Sequence, residues 1–330
     1  MHTTVIHTLP APGVALEPLE VFYQDVVRGL TATPKYLDSK YFYDAAGDKL
    51  FQQIMQCREY YPTDCEMEIM TEQAAQIAQA IAGQTTSFDL VELGPGDATK
   101  SIHLLEQLLH TGLDFTYYPI DISTNVINTL EKTLPEKLPA LQIQGLNGEY
   151  FEMVQRVAEM SNRPKVLLFM GANIGNFTPI MARKFCRQLR SCMQPGDLLM
   201  VGFDLKKHPK IILNAYNDEA GITSAFNLNL LTRINRELQA DFNTDMFEHY
   251  PVYDPMTGAC KSYLVSLEDQ DVHLCNDVTI HFQQHEPIYM EISQKYSLEE
   301  TTQMALQTGF QPLTCFTDTK GWFADCMWKV

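Results

Sequence analysis

Residues 88–109 constrain this chain more than any other stretch. Phe88, Leu90, Val91 and Leu93 form an apolar run too short for a helix, and it leads into Glu92-Leu93-Gly94-Pro95-Gly96, where two glycines allow a tight backbone turn. Beyond the turn, Ile102, Leu104, Leu105, Leu108 and Leu109 recur at helical spacing. Strand, glycine turn and helix in that order open a nucleotide-binding βαβ unit. A second strand, Phe115 to Ile120, ends at Asp121, 25 positions after Gly96. A carboxylate at that spacing can reach a pair of ribose hydroxyls from the tip of the second strand.

Both a dinucleotide and S-adenosylmethionine fit these features. The dinucleotide fingerprint wants a third glycine where Thr99 stands, and it seats a pyrophosphate on the helix N-terminus. Glu92, immediately ahead of the turn, suits a cationic cofactor better than a pyrophosphate. The pattern acidic-x-Gly-x-Gly from Glu92 through Gly94 to Gly96 resembles the first motif of the S-adenosylmethionine-dependent methyltransferases.

Composition narrows the partners. The chain has 330 residues, 45% of them hydrophobic, enough for one large or two modest domains with a real core. Its 41 acidic residues against 24 basic ones give a formal charge of −17, which repels a phosphate backbone or an anionic membrane, so neither is an expected partner. There is no apolar run of membrane-spanning length, and the first residues lack the basic start and apolar middle of a signal peptide. The expectation is a cytoplasmic, monomeric protein acting on a small molecule. Eight cysteines without a Cys-x-x-Cys pair point to buried free thiols, with neither a disulfide scaffold nor a metal site.

Along the chain, a loose lead-in precedes a helix carrying Leu19, Phe22, Val26 and Val27, and Pro34 to Thr63 is rich in tyrosine. These phenols bracket a helix near 47–56, so some are expected to face a pocket. Cys65 to Ala82 reads as one amphipathic helix, Leu141 to Leu146 as a third strand, and Lys165 to Met170 as a fourth, followed by GANIGNFTP with Asn176. Asn147-Gly148-Glu149-Tyr150 is the turn after the third strand. The βα alternation through Phe203 predicts a parallel, doubly wound sheet. From 207 the pattern changes to helices and then short strands, and α/β character returns in a helix over Leu298 to Thr308 and a strand near the C-terminus.

Four stretches together are more specific than the glycine turn: PKYLDSKYFYDAAGDKLFQQIMQCREYYPT, LVELGPGDATK, GANIGNFTP and AYNDEAGITSAFNLNLLTRINRELQADF, with MEISQKYS at 290–297. With them the chain resembles the histidine-specific, S-adenosylmethionine-dependent methyltransferases of ergothioneine biosynthesis from about Pro34 onward. The resemblance implies a Rossmann-like class I methyltransferase α/β domain over 64–206 and 296–330. It also implies a second, α+β substrate-binding domain over 18–63 and 207–295, built from an N-terminal segment and an insertion. Asn176 and Tyr216 would hold a substrate carboxylate, while Tyr60, Glu291 and Ser293 would hold an imidazole. Tyr43 and Phe51 would line the reacting amine, with Tyr43 or a water beside it relaying the proton. Gly94, Lys100, Asp121, Glu149 and Tyr150 would join Glu92 and Gly96 around S-adenosylmethionine.

The implied activity is trimethylation of the α-amine of L-histidine to hercynine. N-methylation of another small amine, a non-catalytic sensor of the cofactor or an amino acid, and an NAD-dependent oxidoreductase are the alternatives. The pairing of Glu291 with Ser293 favours histidine.

Overall fold

The structure is a computed structural model that describes residues 18–275 and 277–330. The expected lead-in lies outside the described residues. Helix α1 (Pro18–Thr31) buries Phe22 and Val26, and α2 (Ala45–Met55) follows the first tyrosines. The one helix expected over Cys65 to Ala82 is in fact two, α3 (Tyr61–Glu72) and α4 (Ala74–Ala82). Gln73 separates them at φ −121°, its side-chain amide donating to the Thr317 carbonyl at 2.8 Å. The apolar spacing continues across the break, so only this distant contact reveals it.

Then β1 (Ser87–Leu93), α5 (Ser101–His110), β2 (Asp114–Asp121), α6 (Thr124–Lys137), β3 (Leu146–Asn147), α7 (Tyr150–Met160), β4 (Lys165–Phe169), α8 (Pro179–Ser191) and β5 (Leu198–Asp204) alternate. The third strand expected over Leu141 to Leu146 shrinks to β3 and a single bridge from Ile143 to Tyr117. It lies at a sheet edge, where Gln142 and Gln144 stay exposed. After α9 (Pro209–Ala215) and α10 (Ile222–Leu238) come β6 (Phe247–Asp254), β7 (Ala259–Ser266), β8 (Gln270–Leu274), β9 (Val278–Phe282) and β10 (Pro287–Gln294). Helix α11 (Leu298–Thr308) opens on a capping box of Ser297 and Glu300 and closes on left-handed Gly309. The chain ends in β11 (Gln311–Thr317) and β12 (Phe323–Lys329).

Contacts divide the chain into two compact units. Unit one holds the described residues through Ile54, Asn217–Val252 and Lys261–Glu291; unit two holds Met55–Tyr216, Tyr253–Cys260 and Ile292–Val330. Unit two is built on a seven-stranded sheet in the order β11-β12-β5-β4-β1-β2-β3. Strands β3, β2, β1, β4 and β5 run parallel, whereas β12 is antiparallel to β5 and β11 to β12. Leu90, Val91, Leu167, Leu168, Leu199 and Met200 are buried on both faces of this sheet, as helices on both sides require. Strand order reverses at β1 and β4, so their carboxyl ends open the crevice in which a doubly wound fold binds ligands.

Strand β11 escapes the sequence reading because its residues are mostly exposed and carry no apolar alternation. Its partner register sets Cys315 opposite Cys326, and the two form a disulfide. The expectation of free thiols fails for this pair because it depended on a strand pairing the sequence did not reveal. A three-stranded sheet β10-β7-β6 has most of its residues in unit one, which also holds the β8-β9 hairpin, α1, α10 and most of α2.

Candidate active site

The glycine turn of unit two stands on a buried carboxylate. Glu92 is 2% exposed and accepts from the Ser101 hydroxyl at the start of α5 and the Tyr117 hydroxyl on β2. Burial pushes its acid group up, opposed by those two hydrogen bonds and by the Lys100 charge. Glu92 therefore ties β1, β2 and α5 together beneath the turn. Above it, Gly94 and Gly96 sit at φ +69° and +58°, and nothing lies within 4 Å of where a Gly96 side chain would begin. That open cradle is one only glycine can form without strain.

A Cβ on Gly94 would lie 2.7 Å from the Tyr150 hydroxyl, so the phenol rests directly on the turn. Burial, then the charges of Asp121 and Glu149, push that phenol up to about 12. Asp121, at the tip of β2, accepts from the Ser123 backbone N–H at 2.8 Å, and Glu149 precedes α7 with its side chain exposed. Gly94, Gly96, Asp121, Glu149 and Tyr150 thus meet at the carboxyl ends of β1 and β2. Lys100 precedes α5 and is no solvated first-turn lysine. It forms an ion pair with Glu66, which is 1% exposed and also accepts from the Gly171 backbone N–H at 2.6 Å. Burial lowers its tendency to hold a proton, but the Glu66 charge outweighs this and raises it.

Four expected substrate residues also gather within unit two. The rings of Tyr60 and Tyr216 meet edge to face at 6.2 Å, and the Tyr216 and Ser293 hydroxyls lie 2.7 Å apart. Asn176 closes a 3-10 turn, Asn173–Asn176, in which Gly175 packs so closely that a Cβ would fall 2.9 Å from the Gln294 carbonyl and 3.7 Å from the Ser293 hydroxyl. Capping of α8 falls to Thr178, which accepts from the Met181 N–H, so Asn176 is not that helix's cap. In unit one, Tyr43 and Phe51 meet at 5.7 Å, and each packs on Phe226, at 5.8 and 6.0 Å. Tyr43 remains 49% exposed. Glu291 follows on β10, whose alternating burial puts Tyr289, Glu291 and Ser293 on one face of the strand.

Sequence reasoning missed the charges behind Tyr216 and Ser293. The Lys295 side chain is 0% exposed, and its ammonium donates to Asp204 at 2.6 Å, the Tyr216 hydroxyl at 2.7 Å and the Ser293 hydroxyl at 2.7 Å. Asp204, at the carboxyl end of β5, also accepts from Lys207 and from the Tyr61 hydroxyl at 2.8 Å. Burial alone would push the Asp204 acid up, but the Lys295 and Lys207 ammoniums outweigh it and hold it below the usual range. Lys295 did carry a signal, since Glu291, Ser293 and Lys295 alternate as polar residues through a strand. Asp204 carried a weaker one, as a carboxylate ending a parallel strand.

A model of histidine-specific, S-adenosylmethionine-dependent methyltransferases matches residues 22–330. The chain belongs to this family. It is 34% identical to the histidine N-alpha-methyltransferase of Mycolicibacterium smegmatis, over 92% of this chain and 93% of that one. The Mycobacterium tuberculosis protein of the same name is also 34% identical, over 91% and 92%. A 4-dimethylallyltryptophan N-methyltransferase of Penicillium roqueforti is 26% identical over 90% and 88%. As a family member the chain is a methyltransferase whose cofactor is S-adenosylmethionine.

The residues of unit two fit that cofactor. The open space at Gly96 leaves room for close backbone approach, Asp121 suits ribose hydroxyls, and Lys100 is a cation that suits a carboxylate. Among the described residues no group of three or more His, Cys, Asp or Glu is arranged to hold a metal ion, and no helix is long and apolar enough to cross a membrane.

Proposed function

We propose that this methyltransferase trimethylates the α-amine of L-histidine, giving hercynine in an ergothioneine pathway. Family membership across residues 22–330 supports the reaction class, and the grouping of Tyr60, Tyr216, Ser293 and the Asn176 turn in unit two is the observation that carries the amino-acid substrate. In this reading unit two binds the cofactor, through Glu92, Gly94, Gly96, Lys100, Asp121, Glu149 and Tyr150. Tyr43, Phe51 and Glu291 are the further residues read as substrate-binding.

S-adenosylmethionine supplies an electrophilic methyl group on a sulfonium. The protein's work is then alignment, because an in-line displacement gains most from a correctly held nucleophile. Asn176 and Tyr216 hold the substrate carboxylate, while Tyr60, Ser293 and Glu291 hold the imidazole. The α-amine must lose a proton before each attack, and Tyr43, 49% exposed, or a water beside it relays that proton to solvent. The product is a quaternary ammonium, which the faces of Tyr43 and Phe51 stabilise without hydrogen bonds. An analogue lacking the ring nitrogens would forgo its hydrogen bonds to Glu291 and Ser293, and that loss confers selectivity.

Mass spectrometry of products from S-adenosylmethionine and a mixture of the twenty amino acids tests the reading. Three added methyl groups on histidine alone are expected, and Glu291→Gln should raise KM for histidine by roughly tenfold or more. Methylation of a different amino acid would overturn the substrate and leave the reaction class standing.

A further inference from the structure

We propose that Lys295 is a positioning residue that lends a buried positive charge to the carboxylate-binding end of the site, acting through the hydroxyl of Tyr216. The proposal rests on the reading that Tyr216 meets the substrate carboxylate. An ammonium has three N–H donors. Those of Lys295 have three acceptors at 2.6–2.7 Å, Asp204, Tyr216 and Ser293, and the side chain is wholly buried. It therefore has no donor to offer a ligand directly.

Of the Tyr216 and Ser293 hydroxyls, 2.7 Å apart, one donates to the other, and with Ser293 as that donor Tyr216 keeps its proton for a ligand carboxylate. Each of these oxygens accepts from a cation, and a hydroxyl polarised in this way becomes a stronger donor towards an anion. The same ammonium sits 4.6 Å from the centre of the Tyr216 ring, so it fixes the phenol from its face as well as from its oxygen.

The surrounding charges give that polarisation a sign. Asp204 is one carboxylate facing two ammoniums, Lys295 and Lys207, and its remaining partner is the neutral Tyr61 hydroxyl. Lys207 lies over the Tyr61 ring at 4.0 Å and also donates to the Leu205 carbonyl. The cluster thus has a formal excess of one positive charge in a buried setting, where charge is weakly screened. A carboxylate hydrogen-bonded to Tyr216 supplies the missing anion. A ligand without a carboxylate leaves the excess in place. Lys295 accordingly selects amino acids over the corresponding amines, whereas a lysine that merely braced β5 against the end of β10 would not distinguish them.

The test compares L-histidine with histamine, which lacks only the carboxylate. Binding of each to the S-adenosylhomocysteine complex is measured by calorimetry for the wild type, Lys295→Met and Lys295→Arg, alongside KM and kcat for histidine. Lys295→Met is expected to weaken histidine roughly 10- to 100-fold, mainly in KM, and to leave histamine within about threefold, so that the wild-type preference collapses. Lys295→Arg keeps the charge and should keep most of the preference. Equal loss for both ligands, or an unchanged preference in Lys295→Met, overturns the proposal. Should Lys295→Met fail to bind S-adenosylhomocysteine, Lys295→Arg decides alone: a lost preference with the charge retained overturns it, and a retained one supports it. A wild type that binds neither ligand instead overturns the functional reading, and this proposal with it.

Discussion

Replacing Asp325 with asparagine is expected to stabilise this protein, and increasingly so as the pH rises above the ordinary carboxylate range. Asp325 lies on β12, 0% exposed, and among the described residues neither of its carboxylate oxygens has a hydrogen-bond partner. Burial and the negative charge of Glu66 hold its acid well above the usual range, and the Lys100 ammonium only partly opposes them. Two carboxyl groups share one ammonium here, and Glu66 has claimed it. The folded protein therefore keeps a proton on Asp325 at pH values where the unfolded chain has lost it. Stability from such a group is complete below its unfolded pKa and declines as the pH rises towards its folded one. Each pH unit in that window costs about 1.4 kcal/mol.

Asparagine has nearly the same shape and titrates in neither state, so the advantage of Asp325→Asn should grow by about 1.4 kcal/mol per pH unit just above pH ~4. Both tryptophans of the chain, Trp322 and Trp328, lie in unit two with Asp325, so their fluorescence reports on the right part of the molecule. Urea denaturation followed in this way between about pH 4.5 and about pH 6.5 measures the slope. A variant less stable than the wild type near neutral pH would show that Asp325 is ionised and serves as the counter-ion of Lys100, refuting the assignment. Glu66→Gln should behave oppositely, losing about 1–3 kcal/mol, a range lowered because the Lys100 side chain is 28% exposed.

Two further outcomes follow from single residues. His249 on β6 is 8% exposed, its Nε2 has no hydrogen-bond partner among the described residues, and burial pushes its pKa down to about 4 against the pull of Asp218. The unfolded chain binds the extra proton first, so stability is lost as pH falls from about 6.5 towards 4, by up to about 3 kcal/mol. His249→Phe should remove that part of the acid sensitivity in circular dichroism melts, and parallel curves for the two proteins would contradict it. Gly94→Ala combines a left-handed φ with a Cβ 2.7 Å from the Tyr150 hydroxyl and should weaken S-adenosylmethionine at least roughly tenfold by calorimetry. Gly96→Ala carries the backbone strain of about 1–2 kcal/mol without such a clash, so the stability difference between the two variants isolates the Tyr150 contact.

Local chemistry made much of this molecule legible. An apolar run, two glycines and a helical repeat announce β1, the turn and α5 because each signal lies within about twenty residues of chain. Helix α11 was equally plain, with its capping box and terminal glycine spelled out in order. Glu291 and Ser293 on β10 were named through the resemblance of the stretch MEISQKYS to the family, and the strand's alternation then sets them on one face. By contrast, the break at Gln73 depends on a carbonyl 244 positions away, and β11 depends on a partner strand that its own exposed residues do not announce. The disulfide between Cys315 and Cys326 follows from that pairing alone.

The sequence by itself determined the family, the doubly wound cofactor fold and the residue types around the glycine turn, because periodicity and motif spacing are short-range properties of a chain. Only the tertiary structure decided which charges stand behind those residues. Lys295 is separated by 91 positions from Asp204 and by 79 from Tyr216, yet all three meet in one buried cluster. Glu66, Lys100 and Asp325 likewise converge from α3, the start of α5 and β12. Burial and pairing set the protonation and strength of such groups, and both are products of packing, which no local pattern encodes.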